Sequence, residues 1–277
     1  MPLIPLSLAR RLSPALQPLR RLCAGGWLRE ADVDLCLRLL HPALRLNRVY
    51  ARVESRRWVA DDMLAIQLRC NGNARGWRAG QHVQLYLQQD GGRHGRSYSL
   101  TSVAADGRIE VAIKRQPGGR LSNLLLDHLA VGQLIELGQA FGDFAWPQEP
   151  RAVLLLAAGS GITPLLGLLR EALARGFSAP VTLLHQVRHR GQQAFAEELQ
   201  ALAARHANFQ VQWAFSGEGE RLSAERLAAL PGEHVRVCGP RGFVEQACGG
   251  WHDAGRGGSL QSESFSPLPV LADAQAR

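Results

Sequence analysis

Apolar and polar positions along the chain follow two different periods in succession. From Val49 to about Trp146, apolar residues alternate with polar ones or run together for four to eight positions. The segments are VYARVESRRWV (49–59), MLAIQLRC (63–70), HVQLYLQQ (82–89), RSYSLTS (96–102), IEVAIKR (109–115) and QLIELG (133–138). Gly76, Gly80, the pair Gly91-Gly92 and the pair Gly118-Gly119 separate them. Six short strands at this spacing predict an antiparallel barrel, interrupted by one helix over Ser122 to Leu129. From Arg151 the pattern becomes an alternation of strands and helices. Strands are predicted at Ala152–Ala157, Val181–His185, Phe209–Phe215 and His234–Cys238. Helices are predicted at Pro164–Arg175, Gln193–Arg205, Ala224–Leu230 and Gly242–Cys248. Such alternation implies a parallel sheet with helices on both faces. The chain therefore divides into an N-terminal extension (1–46), a barrel domain (47–147), an α/β domain (148–250) and a last strand with a tail (251–277). The polar end LADAQAR is expected to be disordered.

The most informative stretch is Arg151 to Arg170, in which eighteen uncharged residues stand between two arginines. That is long enough to raise the question of a membrane span. Gly159-Ser160-Gly161 and Thr163-Pro164 in its middle argue against one, because they break a helix at its centre. A buried strand, a glycine turn and a helix fit better, with Thr163 as the N-cap and Pro164 in the first turn. This arrangement presents free backbone N–H groups and the positive end of a helix, a site suited to phosphate, although a ligand-free turn reads the same way.

The N-terminal extension differs from both domains. Up to Glu30 it carries Arg10, Arg11, Arg20, Arg21 and Arg29 and no acid, interleaved with leucines. It suits a basic, weakly amphipathic segment lying on an anionic membrane or a membrane-bound partner. It equally suits a flexible arm, a helical cover on the barrel, or an organelle transit peptide. Composition adds little to the picture. The net charge of +8 comes from arginine, with Lys114 the single lysine. Arginine spread along the chain without aromatic clustering does not suit nucleic-acid binding. Five cysteines without paired or iron–sulfur spacing suggest a reducing compartment, and the arginines follow the first apolar run, the reverse of a secretory signal. A cytoplasmic protein, peripherally membrane-associated at most, is the expectation. His185 and His189 span a strand end and a loop, so no metal pair is expected. Ser160 in A-G-S-G-I lacks both glycines of a nucleophile elbow, which argues against a hydrolase.

Taken in order, five motifs resemble the ferredoxin–NADP⁺ reductase family. They are R-x-Y-S at Arg96–Ser99, I-K-R at Ile113–Arg115 leading into G-G-x-x-S at Gly118–Ser122, G-x-F at Gly142–Phe144, G-S-G-I-T-P at Gly159–Pro164, and C-G-P-x-x-F at Cys238–Phe243. The resemblance runs from about Val49 to Phe265. It implies a two-domain β plus α/β protein, a six-stranded FAD-binding barrel followed by a Rossmann-like NADP-binding domain. Arg96 would then pair with the FAD pyrophosphate, as a guanidinium fork suits phosphate oxygens. Tyr98 would stack on the flavin ring and Ser99 would approach flavin N5, although Tyr98 also reads as a core aromatic. Ile113 and Lys114 would line the ribityl and adenine side. Gly119, Leu121 and Ser122 would meet the pyrophosphate at a helix start, where Ser122 is also a good cap. Gly159, Gly161 and Thr163 would hold the nicotinamide nucleotide's pyrophosphate.

Arg188, with Arg190 as a neighbour, falls where the family reads an adenosine 2′-phosphate. No acid lies between Leu184 and Gly191 to bind a ribose 2′-hydroxyl, which favours NADPH, and a solvated basic loop is the alternative. Cys238, Gly239 and Pro240 would lie near the nicotinamide, Cys238 otherwise reading as a small buried hydrophobe. Glu263 and Phe265 resemble the family's closing E-x-F beside the flavin. Ser99, Cys238 and Glu263 are thus the catalytic candidates, with no metal ligand among the site residues.

The implied activity is hydride transfer from NADPH to FAD, then single electrons to a ferredoxin-like carrier. Some relatives carry a [2Fe–2S] domain after E-x-F; here twelve residues without cysteine follow Phe265, so a separate acceptor is expected. VDLCLRLLHPALRLNRVYARV is similar to the lead-in of reductases that serve membrane desaturases. An oxygenase partner, a reductase acting on small acceptors, and a nucleotide-binding sensor without turnover are the alternatives.

Overall fold

The computed structural model describes residues 3–89, 91–255 and 258–265. The expectation for LADAQAR lies outside them. Three helices come first: α1 (Leu6–Leu12), α2 (Gln17–Ala24) and α3 (Glu30–Leu40). Among the readings of this extension, the helical cover is the one observed. Ala9, Leu37, Leu44 and Leu46 form a small core of their own. Polar ties fix it to the barrel. Asn71 Nδ2 donates to the Ala43 carbonyl (2.7 Å), Arg20 Nη2 donates to Asn73 Oδ1 at 3.0 Å, and the Ser13 hydroxyl bonds Asn73. Among the described residues no helix is long and apolar enough to cross a membrane.

Strands β1 (Val49–Ala60), β2 (Met63–Cys70), β3 (His82–Gln89), β4 (Gly92–Val103), β5 (Arg108–Lys114) and β6 (Leu134–Leu137) close into an antiparallel barrel in the order β1-β2-β5-β4-β3-β6. Alternation drives the closure, because one face of each strand is apolar and a closed sheet leaves no edge. Val53, Ile66, Leu68, Val83, Leu85, Leu100, Val111 and Ile113 are completely buried inside it. Helix α4 (Arg120–His128) lies between β5 and β6 and buries Leu125 and Leu126.

The second domain contains β7 (Val153–Ala158), α5 (Ile162–Ala174), β8 (Val181–Val187), α6 (Ala196–Arg205), β9 (Phe209–Phe215), α7 (Ala224–Ala229), β10 (His234–Gly239), α8 (Arg241–Asp253) and β11 (Leu260–Ser264). Its five strands are parallel in the order β11-β10-β7-β8-β9, so β11 is the expected edge strand. Strands β7 and β10 are buried at every position, as strands covered by helices on both faces must be. Helices α5 and α6 pack on one face, and α7 and α8 on the other.

Two expected caps are corrected. Helix α5 begins at Ile162 with Gly161 at its N-cap, which places Thr163 inside the helix. Its hydroxyl instead donates to the Ser160 carbonyl at 2.9 Å. Likewise α4 starts at Arg120 behind Gly119, so Ser122 lies in the first turn and does not cap. In both places the glycine turn starts the helix earlier than the hydroxyl residue suggests.

The two domains share a core. Met63, Ala65 and Ala112 of the barrel pack in one cluster with Phe144, Leu165 and Leu168. Arg170 of α5 ties them further: it donates to Thr101 O at 2.7 Å, to Glu110 at 2.8 Å and in a fork to Glu198 of α6 at 2.7 Å. A side chain at Gly167 would overlap the Leu100 carbonyl of β4, so a bare helix face lets α5 lie against the barrel.

Candidate active site

The candidate residues gather along the seam between the domains. On the barrel side, β4 exposes Arg96, packs a half-buried Tyr98 against the barrel core and then buries Ser99. The Tyr98 hydroxyl and the Ser99 hydroxyl are buried and have no hydrogen-bond partner. Burial pushes the Tyr98 phenol up to about 12, against a small opposing effect of Arg96, so it stays protonated as a donor. Two buried hydroxyls without partners are costly unless a bound group satisfies them, as the polar edge of a flavin would. At the start of α4, Gly119 has an extended backbone and no side-chain cap hydrogen bond. Leu121 packs against the barrel core. The Ile113 side chain is sealed inside the barrel, leaving only its backbone to face a ligand.

Lys114 points away from β5 toward the second domain. Its ammonium lies 3.4 Å from Asp62 Oδ2, and a side chain at Gly159 would come within 3.5 Å of the same nitrogen. Asp62 also accepts from Gln192 Nε2 at 2.6 Å. The single lysine thus stands at the mouth of the nucleotide turn.

That turn is closely fitted. Gly159 has φ +54°, a conformation suited to glycine, and its carbonyl lies 2.9 Å from His185 Nε2. At Gly161 a Cβ would overlap the Cys238 carbonyl, so the turn can approach the end of β10 only without a side chain. His185 is completely buried, and this desolvation outweighs the Gly159 contact, with Lys114 adding to the lowering to about 4. Its imidazole is therefore neutral, and we assign its Nε2–H to the Gly159 carbonyl. Sequence reasoning weighed this histidine only as a metal ligand. Its burial at the end of a parallel strand is what marks it as a structural donor.

Across the turn, Cys238 is completely buried beside Glu263, which pairs with it in register across β10 and β11. Burial first, and then the Glu263 charge, hold the thiol well above its ordinary value, so it remains a neutral thiol and not a nucleophile. Gly239 fits closely under Ala158 and Phe243, and Pro240 provides the N-cap of α8. Phe265 donates its N–H to the Gly239 carbonyl at 3.0 Å. One further residue joins the barrel to this corner: His82, paired with Ser99 across β3 and β4, has Nε2 at 3.1 Å from Glu263 Oε2. A single histidine in a strand carries no sequence signal for this role. At the outer end of β8, Arg188 and Arg190 are exposed, with Arg190 over the Phe215 ring at 4.7 Å. An open groove of about 780 Å³, lined by Arg57, Trp58, Asp61, Phe195 and Glu198 among others, contains none of these site residues.

A closed barrel packed against a parallel sheet with a glycine turn suits a flavin- and pyridine-nucleotide-dependent oxidoreductase. Comparison with known proteins agrees. Residues 50–146 match the oxidoreductase FAD-binding domain and residues 155–249 the oxidoreductase NAD-binding domain. The chain belongs to the ferredoxin–NADP⁺ reductase family. It is 34% identical over 183 residues to a flavohemoprotein of Pseudomonas aeruginosa, covering 61% of this chain and 46% of that protein. It is 31% identical over 243 residues to an NADPH oxidoreductase of Mycobacterium tuberculosis, covering 84% and 64%. It is 35% identical over 177 residues to the ferredoxin reductase component of a 3-ketosteroid-9-alpha-monooxygenase of Rhodococcus rhodochrous, covering 61% and 50%. The chain thus spans about half to two thirds of these relatives' lengths. Among solved structures, a cytochrome P450 reductase of Amycolatopsis superposes with a TM-score of 0.69 at 26% identity, covering 79% of this chain and 70% of that one.

Proposed function

We propose that this protein is a flavoprotein reductase that takes reducing equivalents from NADPH through FAD and passes electrons singly to a separate ferredoxin-like carrier. FAD, when bound, supplies the exchange between a two-electron donor and a one-electron acceptor. The observation that carries the reading is the pair of buried, unpartnered hydroxyls of Tyr98 and Ser99, with Ser99 joined through its register partner His82 to Glu263. Tyr98 would hold the flavin ring, and Arg96 and the Gly119–Ser122 turn its pyrophosphate. Gly159 and Gly161 let the backbone approach a second pyrophosphate, with Lys114 adding positive charge at that mouth. Thr163 and His185 hold the turn itself. Cys238 and Glu263 border the point where the two ring systems would meet, and holding reactants in register is the main contribution the protein makes.

The test is an absorption spectrum of the purified protein. It should be yellow and bleach on anaerobic NADPH. A colourless protein that still binds NADPH would instead support a sensor.

The preference for NADPH rests on Arg188, which is exposed with no acid near it along the loop, and agrees with the mycobacterial relative, an NADPH oxidoreductase. Arg188→Ala should reduce kcat/KM for NADPH by roughly tenfold to a hundredfold, the loss of one charge-assisted hydrogen bond of about 1.5–3 kcal/mol. Activity with NADH should barely change, and an equal loss with both nucleotides removes Arg188 from this role.

The ferredoxin-like acceptor follows the Rhodococcus relative, a ferredoxin reductase component. The extension offers the face for peripheral membrane contact, either with lipid or with a membrane-bound desaturase. Trp27 is 81% exposed, and Leu35 and Leu39, one turn apart on α3, are 61% and 70% exposed, with Arg21 and Arg38 nearby in sequence. Co-sedimentation with phosphatidylserine vesicles should fall several-fold in a Trp27→Ser, Leu39→Ser variant. Equal binding by wild type and variant removes lipid from that face.

A further inference from the structure

His82 is held on three sides. Its backbone exchanges hydrogen bonds with Phe141, N–H to O at 2.9 Å and the reverse at 3.0 Å. Its ring stacks on Phe141, with centroids 5.7 Å apart, and meets Phe265 edge-on at 6.2 Å. Nδ1 is buried without a partner and faces Gly142, where any Cβ would come within 2.9 Å of it. Among the described residues, the Glu263 carboxylate lies before this clamped imidazole, its Oε2 3.1 Å from Nε2 though not aligned as a straight hydrogen bond. Glu263 itself sits on an edge strand of five residues, held by β10 on one side only. Its carboxylate therefore depends on a contact from outside its own sheet, and the barrel provides one.

We propose that His82 is a positioning residue for the reductase reaction: its imidazole, fixed between Phe141 and Phe265, holds the Glu263 carboxylate at the seam beside Cys238 and Ser99. The inference rests on the flavin reading above, because the seam matters for catalysis only if the ring lies there. A negative carboxylate held close to the flavin favours the oxidised ring over its more negatively charged reduced form. Releasing that carboxylate makes the flavin easier to reduce.

The test uses the full chain as purified, with flavin content measured first. His82→Phe keeps the ring packing and removes the N–H, whereas His82→Gln keeps a donor near the Nε2 position. His82→Phe should lower kcat for NADPH-dependent ferricyanide reduction about tenfold with KM nearly unchanged. It should also move the flavin midpoint potential in the positive direction, as Glu263→Gln does. His82→Gln should recover most of kcat, and His82→Phe combined with Glu263→Gln should lose no more than Glu263→Gln alone. Unchanged kcat and potential in a yellow His82→Phe protein, or losses that multiply in the double variant, overturn the proposal. A second measurement does not depend on the flavin: the same four proteins, stripped of cofactor, should show a non-additive double-mutant cycle in urea. A colourless wild type sinks the flavin reading, and strict additivity in urea sinks the His82–Glu263 contact.

Discussion

Gly161→Ala should cost the protein its nucleotide site and about 3 kcal/mol of stability or more. The added methyl has nowhere to go. It would overlap the Cys238 carbonyl and crowd the Gly239 nitrogen, and both belong to β10, a strand buried along its whole length. Forcing a methylene into a close-packed core costs about 1–3 kcal/mol where side chains can yield, and here the obstacle is backbone. The alternative to unfolding is for α5 to move outward, which withdraws its N-terminus from the phosphate position. Urea denaturation and NADPH titration of the variant measure the two effects together. Gly176, at φ +78° with nothing within 4 Å of its Cβ position, is the control for a glycine that needs its conformation but not the space. A Gly161→Ala protein with wild-type stability and wild-type NADPH affinity would mean that the turn does not approach β10 as described.

The second large effect is acid sensitivity. His185 is neutral in the folded chain down to about pH 4, whereas in the unfolded chain it takes up a proton near its ordinary 6.5. Between those values the unfolded state binds the extra proton, so folding stability from this residue is complete above about pH 6.5 and is lost as pH falls toward 4. The interval corresponds to roughly 3 kcal/mol. Urea midpoints of wild type should fall more steeply over this window than those of His185→Gln, which has no proton to gain. Parallel pH profiles for the two proteins would remove His185 from the acid response. The same protonation would add its proton at Nδ1, leaving the Nε2–H bond to the Gly159 carbonyl in place, and would set a second charge near Lys114 in the buried turn.

Much of this was legible in the residues themselves. The two periods of apolar positions separate barrel from parallel sheet, because a strand half-buried in a barrel alternates and a strand buried on both faces does not. β9 was read to the residue from Phe209 to Phe215, and β7 within one position. The glycine motifs were legible because close backbone approach has no substitute for glycine, as Gly161 against the Cys238 carbonyl illustrates. What could not be read was which residues from distant parts of the chain meet. Lys114 reads as a barrel residue, yet it faces Asp62 and Gly159 because β5 ends at the seam. His82 has no signature in its own strand, and its partner arrives only after the whole α/β domain has been laid down. The hydroxyl caps at Thr163 and Ser122 were misread for a local reason: residue type favoured them, but the preceding glycines had already turned the chain.

Helix α5 has two tasks that cannot be separated. Its first turn opens onto the nucleotide motif, while Gly167 and Arg170 further along are fastened to β4 and β5 of the barrel. The donor platform is thus braced directly against the acceptor platform, and the span between the bound coenzymes is set by one rigid rod and not by the connecting segment. Lengthening the stretch around Trp146–Pro150 should leave electron delivery intact, whereas grafting this α/β half onto a foreign barrel will succeed only if the recipient carries a matching bare patch and the carboxylate that Glu110 offers to Arg170.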